Sequence, residues 1–378
     1  MMKALSVLPI IVKRYFDKYF IMKSKNGALD GMRGLAILLV YNVHSLAGPN
    51  QQNFYLDNPV LIEALKTIQA GHIGVDLFFI LSGYFIYITI HKNQYTFFSF
   101  IRKRYSRLLP LVIFVLIVFL PKTIPTVTPT VLFDSITLLN VFGDTATINY
   151  VQWTLVYEVY FYILIGIMLI VAPKLFDKSR VILLVALSLL LMNEYISRID
   201  TSRFISFFYG VLIAKASMKD GLIMKLIPIN SILFPVSIIS SIVVMQYLWS
   251  TGKGYVASNG DVYFMIISLL FSMLIIGVIN KNVFLNKIFA FYPLRILGAV
   301  SFSFYMIHAI IALQYSGHVT GFIFTHILLL ETSSFTFVVA NYISGFVLSF
   351  IISLFLFYYI ERPYFVKHKH PSITHPKL

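Results

Sequence analysis

Arg33 and His44 lie eleven positions apart in the segment DGMRGLAILLVYNVHS, and the residues between them are almost all apolar. In an α-helix this spacing makes about three turns, which places both side chains within roughly 20° of each other and about 16 Å apart along the axis. Ionisable groups are costly inside a membrane, so they are functional candidates by default. The pair predicts a cation and a titratable base on one face of one helix. Asp30 is interpreted as the N-cap of that helix and as an i, i+3 partner of Arg33.

Three further ionisable residues occupy apolar segments: Asp76 in GHIGVDLFFILSGYF, Glu158 in QWTLVYEVYFY and His308 in GAVSFSFYMIH. In the topology predicted below, all three lie near the depth of His44, and we expect the four groups to converge on a polar pocket open to the outer side. Asp76 has an alternative interpretation as the cap of its helix, and His308 as a partner of a backbone carbonyl. Glu158 is expected to orient a base rather than to act as one.

Two of these positions belong to longer polar stripes at helical spacing, which we expect to face the interior of a helix bundle. The stripes consist of Thr154, Glu158 and Tyr162 in one segment and of Gly298, Ser301, Tyr305 and His308 in another.

The segment FIRKRYSRLLP carries Arg104 and Arg107 at i, i+3 spacing, where an apolar run begins. Neighbouring guanidinium groups form a fork that matches the oxygens of a phosphate group. The spacing alone favours a simpler interpretation, in which both arginines anchor the chain at the cytoplasmic surface.

The elements that must position these residues are membrane helices. The chain of 378 residues is 58% hydrophobic and 12% charged, with a mean hydropathy of +0.84, whereas soluble domains are about half apolar and a quarter charged. A net charge of +15 would indicate nucleic-acid binding only with a basic exposed face or a known motif. Here the basic residues lie between apolar runs, so the expected partner is the lipid bilayer, and no nucleic-acid partner is expected.

Ten apolar runs predict an all-α bundle of about ten transmembrane helices. The runs are 33–48, 72–91, 108–121, 151–172, 181–194, 204–217, 229–249, 262–279, 296–313 and 335–360. With both termini cytoplasmic, only five of the 30 Lys and Arg residues lie in outer loops, as the positive-inside rule requires. Two further apolar stretches, 131–142 and 319–330, are interpreted as interfacial or re-entrant. Residues 1–26 are predicted to be a cytoplasmic or interfacial lead-in, and residues 366–378 a basic cytoplasmic tail.

The chain contains no cysteine, which excludes disulfides, thiolate metal sites and a cysteine acyl-enzyme. The histidines of the tail lack the spacing of a metal site, and no metal is predicted. Motifs of serine hydrolases, phosphate-binding loops and dinucleotide-binding folds do not occur in the sequence. Any acyl chemistry must therefore use other residues.

Six segments, taken in order, resemble the motifs of the acyltransferase-3 family of membrane acyltransferases. They are LDGMRGLAILLVYNVHS, GVDLFFILSGYFI, FIRKRYSRLLPL, WTLVYEVYFYIL, GAVSFSFYMIH and IERPYF. The family's R-x(10)-H pattern falls on Arg33 and His44, and its R-x-x-R pattern falls on Arg104 and Arg107. The resemblance covers residues 27–365, which we interpret as one transmembrane acyltransferase domain.

The resemblance implies transfer of an acyl group, most often acetyl from acetyl-CoA, to a hydroxyl of a cell-envelope or exported glycan such as O-antigen, exopolysaccharide or peptidoglycan. It also implies a multi-pass protein of the bacterial cytoplasmic membrane. The chain is expected to be of the stand-alone type, without an extracytoplasmic esterase-like domain. The acceptor, the position acylated and the oligomeric state stay open.

Spacing and resemblance together suggest a mechanism. His44 would be the general base, assisted by Arg33 and by Asp76 or Glu158. The nucleotide phosphates of acyl-CoA would bind Arg104, Arg107 and Arg33 at the inner face. The residues predicted to contact the substrate are Ser82, Trp153, Ser301, Tyr305 and His308. The candidate hydrogen-bond donors to the developing oxyanion are Ser82, Tyr305 and the backbone amides near Gly83.

Three alternatives stay open from the sequence. Direct transfer is simpler than an acyl-enzyme, but an acyl-histidine intermediate is also consistent with the residues. Buried histidines and carboxylates also fit a proton-coupled permease. A non-catalytic subunit of an envelope assembly is the third possibility.

Overall fold

The computed structural model describes residues 13–20, 26–46, 59–92, 95–123, 127–139, 148–171, 203–218, 231–253, 259–328 and 335–367, with isolated residues between 174 and 188. Every regular element in these ranges is helical. The α-helices are α1 (Gly27–Leu46), α2 (Pro59–Gln69), α3 (Ile73–Lys92), α4 (Phe97–Thr123), α5 (Pro129–Thr137), α6 (Trp153–Val171), α7 (Phe204–Met218), α8 (Leu233–Ser250), α9 (Gly260–Ile279), α10 (Val283–Phe289), α11 (Tyr292–Ala299), α12 (Ser301–Ile310), α13 (Ser316–Phe322), α14 (Phe335–Leu356) and α15 (Arg362–Lys367). Short π-helical segments occur at Ile311–Tyr315, Ile323–Leu328 and Phe357–Glu361.

The helices follow the apolar runs of the sequence, and the protein is an all-α membrane protein. Nine of the ten runs coincide with helices, and the run at 181–194 lies largely outside the described residues. Within the described ranges, four helical segments are long and apolar enough to span a membrane, and a bent pair would make a fifth. Ten crossings and cytoplasmic termini therefore stay predictions.

Helix α1 begins one turn earlier than the sequence indicated. The side chain of Asn26 accepts a hydrogen bond of 3.1 Å from the backbone N–H of Ala28, so Asn26 is the N-cap. The prediction that Asp30 is the cap is therefore wrong, since Asp30 lies inside the first turn. Its predicted pairing with Arg33 is confirmed at 3.7 Å.

The predicted single span at 296–313 is broken. Helices α11 and α12 meet at Val300 with an angle of 78° between them. Gly298 therefore belongs to α11. The prediction that it extends the stripe of Ser301, Tyr305 and His308 is wrong. Gly298 instead lets α11 cross α1 closely, because a Cβ there would lie 1.8 Å from the carbonyl oxygen of Asp30.

The two extra apolar stretches are also helical. Helix α5 covers the start of 131–142 and ends at Thr137, because the next residue, Leu138, has a φ of 58° in the left-handed region. Its nine residues measure about 14 Å, too short to cross a bilayer. The stretch 319–330 continues the helical path that starts at α12, and the described part of it ends at Leu328. An interfacial position stays a prediction for both.

The close crossing of α1 and α11 can be tested by the effect of a substitution on the stability of the protein. Gly298→Ala should lower the thermal unfolding temperature of the detergent-solubilised protein, because the added methyl group forces two backbones apart at a cost of about 1–3 kcal/mol. Gly321→Ala is the matched control, since nothing lies within 4 Å of its Cβ position. Alanine favours helix over glycine by about 1 kcal/mol, so the control should be neutral or stabilising. Equal unfolding temperatures for the two variants would contradict the close crossing.

Candidate active site

A cavity of about 100 Å³ lies between α1, α3, α4, α6 and α12. Its polar lining includes Arg33, Arg104, Arg107, Glu158, Tyr162 and Tyr305. Three hydroxyl residues also line it, Ser82, Thr154 and Ser301, and phenylalanine and aliphatic side chains form the rest of the wall. An apolar pocket with a few convergent polar groups is the usual form of a small-molecule site.

The three arginines converge from two helices. Arg33 comes from α1 and lies over the ring of Phe85, 4.4 Å from its centroid. Arg104 comes from α4 and lies 5.6 Å from the ring centroid of Tyr162. Such cation–π contacts hold a guanidinium group without neutralising it. The predicted grouping of Arg33 with Arg104 and Arg107 is thus observed.

The charges of these arginines are only partly compensated. Arg33 pairs with Asp30, but among the described residues neither Arg104 nor Arg107 makes an ion pair. The Nε of Arg107 is buried and has no hydrogen-bond partner in the same part of the chain. An unsatisfied guanidinium donor and incompletely compensated positive charge in a partly apolar cavity favour an anionic ligand.

Glu158 holds the polar stripe of α6 in place. Its Oε1 accepts hydrogen bonds from the hydroxyl of Tyr162 at 2.5 Å and from the hydroxyl of Ser82 at 3.1 Å. Thr154, on the same face, also lines the cavity, so the predicted stripe of this helix is confirmed. Glu158 lies close enough to Arg33 to interact electrostatically, and it therefore belongs to the arginine part of the site.

Tyr305 joins α12 to the start of α6. Its hydroxyl donates to the carbonyl oxygen of Val151 at 2.8 Å and lies 2.7 Å from the hydroxyl of Thr154. Because this donor bond uses the phenolic proton, Tyr305 is not available as an oxyanion donor in this arrangement. Ser301 lines the cavity one turn below Tyr305.

The other suggested oxyanion donors are also engaged. The hydroxyl of Ser82 donates to Glu158. Gly83 lies inside α3, where backbone N–H groups bond to carbonyls of the preceding turn. A Cβ on Gly83 would lie 2.0 Å from the carbonyl oxygen of Phe207, so this glycine allows α3 and α7 to pack closely. The proposed role for its amides is therefore wrong.

His44 and His308 form a direct contact beside the cavity. Nδ1 of His44 lies 2.8 Å from Nε2 of His308. Nδ1 of His308 lies 2.7 Å from the carbonyl oxygen of Tyr305. His308 is fully buried, and its ring centroid is 5.6 Å from that of Tyr305. His308 thus packs against Tyr305 of the cavity lining, and neither histidine lines the cavity itself.

The expected convergence of four ionisable groups occurs only in part. The structure brings His308 to His44, whereas the sequence had suggested Asp76 or Glu158 as the partner of His44. Asp76 is buried in the first turn of α3, where Oδ1 accepts from Ser206 at 3.1 Å and Oδ2 lies 3.8 Å from Nη1 of Arg203. These contacts connect α3 with the start of α7, on another side of α3.

Trp153 lies with Asp76 in this second polar cluster. The guanidinium carbon of Arg203 is 5.0 Å from the ring centroid of Trp153. In the predicted topology Arg203 is one of the five basic residues of the outer loops, and the sequence assigns it no other role. Its position immediately before an apolar helix was the available signal, but nothing local indicated that Asp76 would meet it.

Glu361 is another residue that the sequence analysis missed. It lies in the π-helical segment Phe357–Glu361, is buried, and accepts a hydrogen bond from Ser303. It also lies within electrostatic range of Arg107. The signal was present in the sequence, because Glu361 is an acidic residue at the end of the last apolar run. Glu361 therefore places a carboxyl group near Arg107.

Comparison with known proteins identifies relatives of the chain. A family model described as an acyltransferase domain matches residues 26–362. Peptidoglycan O-acetyltransferase OatA of Listeria monocytogenes serovar 1/2a is 25% identical over 346 residues, covering 78% of this chain and 50% of the relative. The chain therefore spans about half the length of this curated relative. No solved structure matches the chain significantly.

Proposed function

The chain belongs to the acyltransferase-3 family of membrane acyltransferases, and we propose that it transfers an acetyl group from acetyl-CoA to a hydroxyl of a cell-envelope or exported glycan. The observation that carries the proposal is a cavity lined by three arginines with a histidine pair beside it, in which His44 lies about 16 Å along α1 from Arg33. A donor with a charged nucleotide and a distant thioester requires this separation of cations from base. Because the family consists of acyltransferases, the competing prediction of a permease is set aside.

The part of the cavity lined by Arg33, Arg104 and Arg107 is the proposed site for the phosphates of acyl-CoA. Arg104 and Arg107 make no ion pair within the described ranges, and phosphate oxygens accept paired hydrogen bonds from guanidinium groups. This argues against the simpler interpretation of the two residues as loop anchors. On the predicted topology this part of the cavity faces the cytoplasm, where acyl-CoA is available.

His44 is the proposed general base. The oxygen of the sugar hydroxyl attacks the thioester carbonyl carbon, and the hydroxyl proton passes to Nε2 of His44. The carbon–sulfur bond then breaks, the sulfur leaves as thiolate, and His44 returns the proton to it. The products are an acetyl ester and the free thiol of CoA. Direct transfer needs no acyl-enzyme, and an acyl-histidine is the alternative.

The remaining predicted residues take supporting positions. Ser301, Tyr305 and Ser82 line the cavity, and we propose that they contact the pantetheine arm or the acyl group. Trp153 and Asp76 form part of the second polar cluster, which is proposed to lie toward the acceptor side.

The acceptor is proposed to be a saccharide because the curated relative is named as a peptidoglycan O-acetyltransferase. O-antigen and exopolysaccharide are the other acceptors that the family resemblance implies. The proposed location is the bacterial cytoplasmic membrane, with the acceptor approaching from the outer side.

The proposal can be tested with purified protein in lipid vesicles. Vesicles would receive acetyl-CoA labelled in the acetyl group and a panel of soluble peptidoglycan and O-antigen fragments. We expect alkali-labile labelled ester on one saccharide and an equal amount of CoA thiol. Vesicles without protein are the control. Passage of unmodified saccharide across the bilayer, with no thiol released, would contradict the proposal and support a permease.

A further inference from the structure

We propose that His308 is a positioning residue that fixes the tautomer and orientation of His44. The inference rests on the proposed function, because it assigns a task to the residue beside the general base. The partner of His44 is then a neutral imidazole, and not the carboxylate of Asp76 or Glu158 that the sequence predicted.

The protonation state of His308 follows from its backbone contact. The carbonyl oxygen of Tyr305 lies 2.7 Å from Nδ1 of His308, and that of Phe304 lies 3.2 Å from the same atom. Carbonyl oxygens only accept hydrogen bonds, so Nδ1 of His308 must carry a proton. In the neutral ring, Nε2 is then an acceptor with its lone pair in the ring plane.

The protonation state of His44 follows from that of His308. Since Nε2 of His308 accepts, Nδ1 of His44, 2.8 Å away, must donate. In the neutral ring this places the lone pair of His44 on Nε2. The backbone carbonyl of Tyr305 thus determines, through two hydrogen bonds, which nitrogen of His44 can take a proton from a hydroxyl.

The same contact supports His44 after proton transfer. When Nε2 of His44 takes the substrate proton, the ring becomes an imidazolium whose Nδ1–H still donates to the neutral Nε2 of His308. A hydrogen bond from a charged donor is stronger than one between neutral groups. The contact therefore strengthens as the charge develops, which is when it assists the reaction.

The surroundings of His308 keep its ring in this orientation. His308 is fully buried, and the ring of Phe304 stacks on it with centroids 5.9 Å apart and an interplanar angle of 18°. The ring of Tyr41 lies 6.5 Å away on the helix that carries His44. A locked ring suits a positioning residue, whose value depends on fixed geometry.

Two substitutions separate the two contacts of His308. The amide of glutamine reaches the place of Nε2, so His308→Gln retains an acceptor for His44. The shorter amide of asparagine reaches only the place of Nδ1, so His308→Asn retains the bond to the Tyr305 carbonyl and loses the contact with His44. We expect kcat to fall by about 10²-fold in the asparagine variant. The glutamine variant should keep most of its kcat, and the KM for acetyl-CoA should change little in both.

The control is His326→Asn, because His326 is exposed and should tolerate the change. A wild-type kcat for His308→Asn, or equal losses in both variants at equal thermal stability, would overturn the inference. An active His44→Ala protein would instead overturn the proposed base, so the two failures are distinguishable.

A measurement on the unmodified protein provides an independent test. Nitrogen-15 NMR of histidine-labelled protein distinguishes the two neutral tautomers, and the His44→Ala spectrum assigns the signals of that residue among the nine histidines. We expect both His44 and His308 to carry the proton on Nδ1. An Nε2–H tautomer at His44 would refute the proposal.

Discussion

Replacing His44 with alanine is expected to reduce acetyl transfer by about 10²- to 10⁴-fold, the contribution typical of a positioned general base. Without the imidazole, the attacking hydroxyl has no group at this position to accept its proton. The KM for acetyl-CoA should stay within a few-fold of wild type, because the proposed phosphate contacts are made by Arg33, Arg104 and Arg107, which line the cavity, and not by His44. The measurement is the rate of ester formation in the vesicle assay at saturating donor.

The control for His44→Ala is His326→Ala, which removes an exposed imidazole. Thermal unfolding and size-exclusion chromatography would establish that both variants insert and fold. Near-normal ester formation by a folded His44→Ala protein would remove the general-base role, and the proposed mechanism with it.

Neutralising Arg104 and Arg107 together should raise the KM for acetyl-CoA by about 10²-fold. A hydrogen bond to a charged group contributes about 1.5–3 kcal/mol, and each 1.4 kcal/mol is about tenfold in affinity. The double variant Arg104→Gln, Arg107→Gln keeps polar side chains at both positions but removes the charge and the paired donors of the guanidinium groups. Initial rates over a range of acetyl-CoA concentrations give KM and kcat separately.

Arg102→Gln is the matched control for the arginine pair. Arg102 is on the same helix but exposed, so its loss should change the KM far less. If the double variant has the same dependence on acetyl-CoA as this control, the two arginines only anchor the loop. The donor site must then lie elsewhere.

Local spacing was sufficient to predict side-chain contacts between residues of the same helix. The pairing of Asp30 with Arg33 was predicted from their i, i+3 spacing, and the shared face of Glu158 and Tyr162 from their i, i+4 spacing. Helical geometry determines such neighbours before any tertiary contact forms. The apolar runs predicted the helices for the same reason, because period and hydropathy are local properties.

Helix ends and breaks were less predictable. Apolar composition is continuous through Val300, so the 78° break there had no hydropathy signal. Gly298 was assigned to a stripe because its spacing fits one continuous helix. In the structure Gly298 allows α11 to approach α1 closely. This contact depends on Asp30, which is more than 260 positions away in the sequence.

The sequence by itself determined the class of the protein, the family and the faces that its polar residues share. Only the tertiary structure decided which faces meet. His44 meets His308 from 264 positions away, and Asp76 meets Arg203 instead of His44. The physical reason is that helical periodicity fixes the direction of a side chain around its own axis, whereas the order and rotation of packed helices depend on the whole bundle.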